Sequence, residues 1–95
     1  MTHDEKLEAF RTLVERHQVE RFARDYPHSS PPTVRVKPGR RWTKVDIGSS
    51  GAYVVDQDGR ILGIKAYGVP HHGHRYGTLD TIDEWDWSGY RAVRV

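Results

Sequence analysis

Hydrophobic positions in the first quarter of the chain recur at steps of three and four, the spacing of one face of an α-helix. The positions with this spacing hold Leu7, Phe10, Leu13, Val14, His17, Arg21 and Phe22. Thr2 or Asp4 can cap the start, because short side-chain oxygens accept hydrogen bonds from the first free backbone N–H groups. Tyr26 precedes Pro27, and a residue before proline avoids helical backbone. The pattern therefore predicts a helix over residues 3–25.

After the helix, the pattern of hydrophobic and polar positions changes. The prolines at positions 27, 31 and 32 predict a linker over residues 27–32, since they allow neither a helix nor strand pairing. Hydrophobic and polar residues then alternate, as they do in strands with one buried face. The alternating segments are 33–37, 41–47, 52–56 and 61–67. Short strands with tight connections predict an antiparallel meander.

The last third of the chain has a less regular pattern. Residues 68–77 contain three glycines and a proline, so they predict a histidine-rich loop. Residues 78–90 predict either a short helical turn or an irregular segment that packs its tryptophans on the sheet, and residues 91–95 alternate like one more strand. The sequence thus predicts a single α+β domain over residues 1–95, with a long N-terminal helix followed by a four- to five-stranded antiparallel meander sheet.

The predicted helix is long for so small a chain. About 23 residues span roughly 34 Å, close to the diameter of a compact domain of this size. Two arrangements fit this length: the helix covers its own sheet, or it projects and forms a homodimer with a second copy. Leu7, Phe10 and Val14 lie on the face that makes the contact in either arrangement.

Composition limits the chemistry and the setting. The 95 residues include no cysteine, which excludes disulfides, thiolate nucleophiles and cysteine-based zinc sites. No apolar run approaches the roughly 18–20 residues of a membrane span, and the polar start of the chain does not resemble a signal peptide. We therefore expect a cytoplasmic protein without a membrane partner.

The histidines supply the sharpest chemical motif. Three of the six stand in the run from His71 to His74, and neutral imidazoles bind divalent metals. On extended backbone His72 and His74 can face one metal ion, whereas His71 points away. The competing interpretation is a polar loop whose histidines bond to backbone or water. Because no nucleophile elbow or phosphate-binding glycine loop accompanies them, we predict a non-enzymatic protein without a cofactor.

Charge is concentrated in one predicted hairpin. The net charge of +2 is too small to indicate nucleic-acid binding, yet residues 27–50 hold five basic residues against Asp46 alone. Cations that surround a tryptophan can hold a phosphate backbone and stack a base. The residues of this basic hairpin are Arg35, Lys37, Arg40, Arg41, Trp42 and Lys44. The alternatives are an ordinary solvated hairpin, whose charges protect an edge strand, and a site for an acidic protein or a nucleotide.

An acidic segment at 83–90 contains two tryptophans. Tryptophan is enriched at the centres of protein interfaces, so Trp85 and Trp87 are candidates for partner binding. The other interpretation is that one of them closes the core of a small domain. The two indole rings share a face only if the segment is extended.

Two segments, 37–45 (KPGRRWTKV) and 55–68 (VDQDGRILGIKAYG), resemble small accessory proteins of unknown function from bacteriophages of actinobacteria. The resemblance covers about residues 34–80. It implies a bacterial host cytoplasm and a role in altering host physiology or supporting the phage. It carries over no catalytic or binding residue.

These observations predict a protein-binding module, an accessory effector that binds and perturbs a host protein. The residues expected to make the contact are Leu7, Phe10, Val14, Trp85 and Trp87. The alternative is a small nucleic-acid-binding protein that uses the basic hairpin over residues 35–44. No motif in the chain identifies the host protein.

Overall fold

The computed structural model describes residues 1–89 and 91–95, and it confirms the α+β fold. Helix α1 (His3–Asp25) is followed by a five-stranded antiparallel meander in which neighbours along the chain are neighbours in the sheet. Its strands are β1 (Val34–Lys37), β2 (Thr43–Ile47), β3 (Ser50–Val55), β4 (Arg60–Ala66) and β5 (Val69–Thr78). A 3-10 helix (Ile82–Glu84) and a two-stranded sheet of β6 (Trp85–Asp86) and β7 (Val93–Arg94) complete the described fold.

Helix α1 has the predicted bounds, and local hydrogen bonds fix its ends. The Glu5 N–H donates to Thr2 Oγ1, and the Thr2 N–H donates back to Glu5 Oε1, both at 3.1 Å. This reciprocal capping box stabilises the first turn and lowers the pKa of Glu5. At the other end the Tyr26 N–H donates to the Phe22 carbonyl, and the chain turns into Pro27.

The core lies between α1 and one face of the sheet. Leu7, Phe10, Leu13 and Val14 are buried on the helix, and they pack on a single buried cluster of sheet and C-terminal residues. The members from the rest of the chain are Val34, Val45, Tyr53, Val55, Ile61, Tyr76, Leu79, Trp87 and Ala92. The helix therefore covers its own sheet, one of the two arrangements that its length allows.

The segment after β5 closes this core. Trp87 is fully buried, with its ring 4.7 Å from that of Phe10 and 5.3 Å from that of Tyr53. Gln18, buried on the helix, donates to the carbonyls of Trp87 and Ser88 at 2.8 and 3.1 Å. These bonds fasten the C-terminal segment to α1. No helix in the described part of the chain is both long and apolar enough to cross a membrane.

The prediction of a loop over residues 68–77 is wrong for nearly all of that range, because these residues belong to strand β5. The pairing with β4 jumps from Leu62–Arg75 to Gly63–His71, so three residues, 72–74, bulge out of the strand. The glycine and histidine content suggested a loop, but β4 supplies backbone partners on either side of the bulge. The predicted strand at 91–95 is reduced to β7, which pairs with β6 rather than with the main sheet.

Candidate nucleic-acid interface

The two faces of the sheet differ because only one is covered by α1. Val34, Val45 and Val55 point towards the helix, so their neighbours in each strand point away from it. We call this second side the outer face. It is formed by Arg35, Lys37, Trp42, Lys44, Asp46, Val54, Leu62 and Arg75, with Tyr67 and His72 packed on it.

Val54 and Leu62 give the outer face an apolar floor. They lie opposite each other on β3 and β4, are 0% and 6% exposed, and do not belong to the core under the helix. Lys44 lies beside Val54 on β2, and Arg75 lies beside Leu62 on β5. Cationic side chains therefore flank the apolar floor on both sides.

Tyr67 is held over part of this face by two hydrogen bonds of its hydroxyl group. Its hydroxyl donates to Asp46 Oδ2 at 2.9 Å and accepts from Lys37 Nζ at 3.2 Å. Lys37 Nζ is also 3.2 Å from Asp46 Oδ2, and these two contacts, the tyrosine first, raise the pKa of Lys37. The ring is 52% exposed, with Lys44 Nζ 4.9 Å from its centroid.

The backbone makes room for that ring. Tyr67 and Gly68 form the turn between β4 and β5, with Gly68 at φ 74°, a conformation that glycine adopts without steric cost. On β3 beneath the ring, a Cβ at Gly51 would lie 2.8 Å from Tyr67 Cδ1. Glycine at position 51 therefore allows the tyrosine to rest on the sheet.

A pair of aromatic rings lies at the other end of the outer face. The rings of Trp42, which is half-buried, and His72, which is exposed, are 6.1 Å apart and meet edge to face. Arg75 Nε donates to the His72 backbone carbonyl at 3.1 Å, so the guanidinium is tied to the residue 72–74 bulge. Sequence reasoning missed Tyr67, His72 and Arg75 as members of this surface.

Most cations of the outer face have no acidic partner. Among the described residues, ion pairs occur at Lys37 and at Arg60, which also lies on this face, but none involves five other cations. Those five are Arg35, Arg40, Arg41, Lys44 and Arg75. Arg40 and Arg41 are exposed in the connection between β1 and β2, next to Trp42. All six residues of the predicted basic hairpin thus lie on or beside one surface.

The residues predicted to bind a partner protein are placed differently. Leu7, Phe10, Val14 and Trp87 are buried in the chain's own core, with at most 5% exposure, and Trp85 is half-buried against it. The folded chain therefore does not offer the first four side chains to a partner. Tyr90, the last residue of the acidic segment, lies outside the described residues.

Acidic groups in and just before that segment lie near α1. Asp80, which precedes the segment, pairs with Lys6 of α1 at 2.8 Å, and Asp86 Oδ1 lies 3.8 Å from His17 Nδ1 of α1. Asp86 accepts hydrogen bonds from the Ser88 hydroxyl and backbone N–H, which lower its pKa. The balance of charge thus differs between the two sides: α1 with residues 80–95 has seven basic and ten acidic residues, whereas residues 26–79 have eight basic and three acidic.

The histidines are not arranged as the metal hypothesis required. His74 stacks on His71, with ring centroids 3.9 Å apart, whereas His72 packs against Trp42. Burial, followed by the neighbouring His71, lowers the pKa of His74. No group of three or more His, Asp or Glu side chains in the described residues is positioned to hold a metal ion.

Comparisons with known proteins identify no relative. The chain matches no protein-family model, no curated protein and no solved structure. The resemblance to phage accessory proteins stays a prediction, and function has to be inferred from the chain's own surfaces.

Proposed function

We propose that the protein binds nucleic acid through the outer face of its sheet. The observation that carries this proposal is that five cations without acidic partners among the described residues and three accessible aromatic rings lie on or beside one face. The rings are those of Trp42, Tyr67 and His72. Cations neutralise backbone phosphates and release their counterions, while aromatic rings stack on bases.

The pairing of two lysines supports a functional use of this charge. Lys37 and Lys44 lie directly opposite each other on β1 and β2, an arrangement in which like charges destabilise a sheet. Asp46 and the Tyr67 hydroxyl offset part of that cost at Lys37, and the Tyr67 ring offsets part of it at Lys44, whose Nζ lies 4.9 Å from the ring centroid. Charge that the fold keeps at the expense of stability is typical of a binding surface.

The separation of charge also supports the proposal. The net charge of +2 is the sum of about +5 over residues 26–79, which form the main sheet, and −3 over α1 and residues 80–95. A polyanion approaching the molecule would be attracted to one side and repelled from the other. The outer face can therefore orient nucleic acid even though the chain as a whole is nearly neutral.

The test is to titrate labelled single-stranded and duplex oligonucleotides with the protein and to measure binding by fluorescence anisotropy. The titration is repeated at salt concentrations between about 50 and 200 mM. We expect affinity to fall steeply with salt. The Arg40→Ala/Arg41→Ala double variant should bind at least about tenfold more weakly, and the slope against log salt should decrease by about 1.4 for a single strand.

The matched control is Arg16→Ala/Arg24→Ala, which removes the same charge from exposed sites on α1. It should alter affinity and slope much less than the change at Arg40 and Arg41. Binding without salt dependence, or equal losses in the two double variants, would contradict a role for the outer face.

The second candidate function is that of a protein-binding effector. Its contact surface would consist of residues other than those predicted from the sequence. Beyond Gln18 helix α1 buries no residue, and Val19 and Tyr26 are 43% and 48% exposed. A host protein or a second copy of the chain could cover this part of the helix. Affinity capture from an actinobacterial lysate, with and without nuclease, separates the candidates. Recovery of a stoichiometric protein after nuclease favours the effector, and loss of bound material favours nucleic acid.

A further inference from the structure

The outer face contains a groove beside Trp42, of about 370 Å³. We define the Trp42 groove by Trp42, Leu62, His72, Arg75 and Thr78, which line it together with Ile61 and the pair Asp56 and Arg60. From its lining we infer that the outer face binds single-stranded nucleic acid and that one unpaired base enters this groove. The inference rests on the proposed function and adds the form of the nucleic acid and the position of a base.

The groove has the surfaces that a flat, aromatic ligand needs. Leu62, only 6% exposed, forms an apolar floor, and the Trp42 and His72 rings stand beside it at 62° to one another. A base placed on the floor would stack on one ring and meet the edge of the other. Such stacking accepts every base, because each has a π-face.

The charges at the rim of the groove favour a nucleotide, whose phosphate can lie next to a cation, over an uncharged aromatic ligand. Arg60 is neutralised by Asp56 at 3.0 Å and by Asp58 at 2.8 Å. Asp56 Oδ1 in turn accepts from the backbone N–H groups of Asp58 and Arg60, so this carboxylate is already occupied. Arg75 has no acidic partner among the described residues, and its Nε bond to the His72 carbonyl fixes its position at the rim. An anion is therefore expected on the Arg75 side.

A single strand fits this arrangement better than a duplex. Bases in a duplex are stacked and paired, and they would have to be unstacked and turned out to reach the floor. A single strand presents its bases without that cost. Its backbone can continue from Arg75 along Lys44 and Arg35, which lie across the same face.

The experiment compares a short oligothymidylate with an abasic strand of the same length, which has the same phosphates but no bases. We expect the oligothymidylate to bind about tenfold more tightly, and a duplex of equal length to bind more weakly than the single strand. Trp42→Leu should remove most of the tenfold preference for bases and leave the affinity for the abasic strand nearly unchanged. Quenching of tryptophan fluorescence by the oligothymidylate should also be lost in this variant.

Tyr26→Leu is the matched control, because it removes an exposed aromatic ring from the end of α1. His72→Ala repeats the test at an exposed residue in case Trp42→Leu does not fold. Equal, salt-dependent binding of the two strands by the wild-type chain would overturn the base-binding groove and leave the proposed function standing. If neither strand binds, the proposed function itself fails.

Discussion

The two faces of the sheet use the same kinds of side chain for different purposes. On the helix side, the rings of Phe10, Tyr53 and Trp87 meet one another at 4.7 to 6.1 Å and are almost completely buried. On the outer face, Tyr67 and Trp42 keep part of their surface accessible and lie among lysines and arginines. An aromatic ring stabilises the fold where another layer covers it, and it is available to a ligand where no layer does.

The largest expected difference between the faces is in stability. Phe10→Ala should lower the free energy of unfolding by about 3–5 kcal/mol, because it leaves a cavity beneath α1 among tightly packed rings. Tyr67→Ala, a substitution on the outer face, should cost about 1 kcal/mol through the loss of its hydrogen bonds. Urea denaturation of both variants measures the contrast.

If Phe10→Ala is too unstable to study, Phe10→Leu keeps much of the volume and should give a smaller loss in the same direction. Oligonucleotide binding should show the opposite order, with Tyr67→Ala the more damaging change. Equal destabilisation by the two alanine substitutions would mean that the outer face is also a structural core.

A smaller effect is expected where β3 supports Tyr67. Gly51→Ala introduces a Cβ 2.8 Å from Tyr67 Cδ1 and 3.0 Å from Ile64 Cδ1, so the ring has to move off the sheet. Affinity for single-stranded oligonucleotide should fall about fivefold, the lower end of the range of about 1–3 kcal/mol that stacking of one base contributes. Fluorescence anisotropy measures this change.

The control for Gly51→Ala is Gly51→Ala combined with Tyr67→Ala, in which no ring remains to be displaced. The double variant should bind no more weakly than Tyr67→Ala alone, since the two changes act through the same ring. Additive losses would instead show that the Gly51 substitution acts on the strand itself.

The smallest expected effect is on the pH dependence of stability, through Asp86 on the helix side. Hydrogen bonds from Ser88 lower the pKa of Asp86, so the folded state favours the carboxylate. This contribution to stability is present above the ordinary pKa of an aspartate and is lost as the pH falls through the lowered pKa. Ser88→Ala should slightly lower the Tm at neutral pH and reduce the fall in Tm on acidification, whereas Asp86→Asn should remove the Asp86 contribution to that fall. An acid-induced fall in Tm that is the same in the wild type and both variants would contradict this assignment.

Local sequence features predicted helix α1 and strands β1 to β4 but not β5, for which they predicted a loop. The spacing of apolar residues, the Thr2 cap and Pro27 predicted helix 3–25, and the Asp58-Gly59 turn separates β3 from β4 with Gly59 at φ 85°. Strand ends moved by one or two residues at most places. Only part of the candidate interface was predicted from the sequence. The basic hairpin was found because its residues are close together in the chain. Tyr67, His72 and Arg75 were missed because strand pairing across the meander brings them to the hairpin.

The sequence alone determined the helix, strands β1 to β4 and the turns between them, because each depends on residues within a few positions of one another. It did not determine β5, whose strand form depends on backbone pairing with β4. Only the tertiary structure decided which rings are buried, since Trp87 and Trp42 occur in comparably polar surroundings in the sequence. Trp87 is enclosed by α1 and the sheet, and Trp42 lies on the side that α1 does not reach. Burial is a property of contacts between segments far apart in the chain, and local patterns do not specify those contacts.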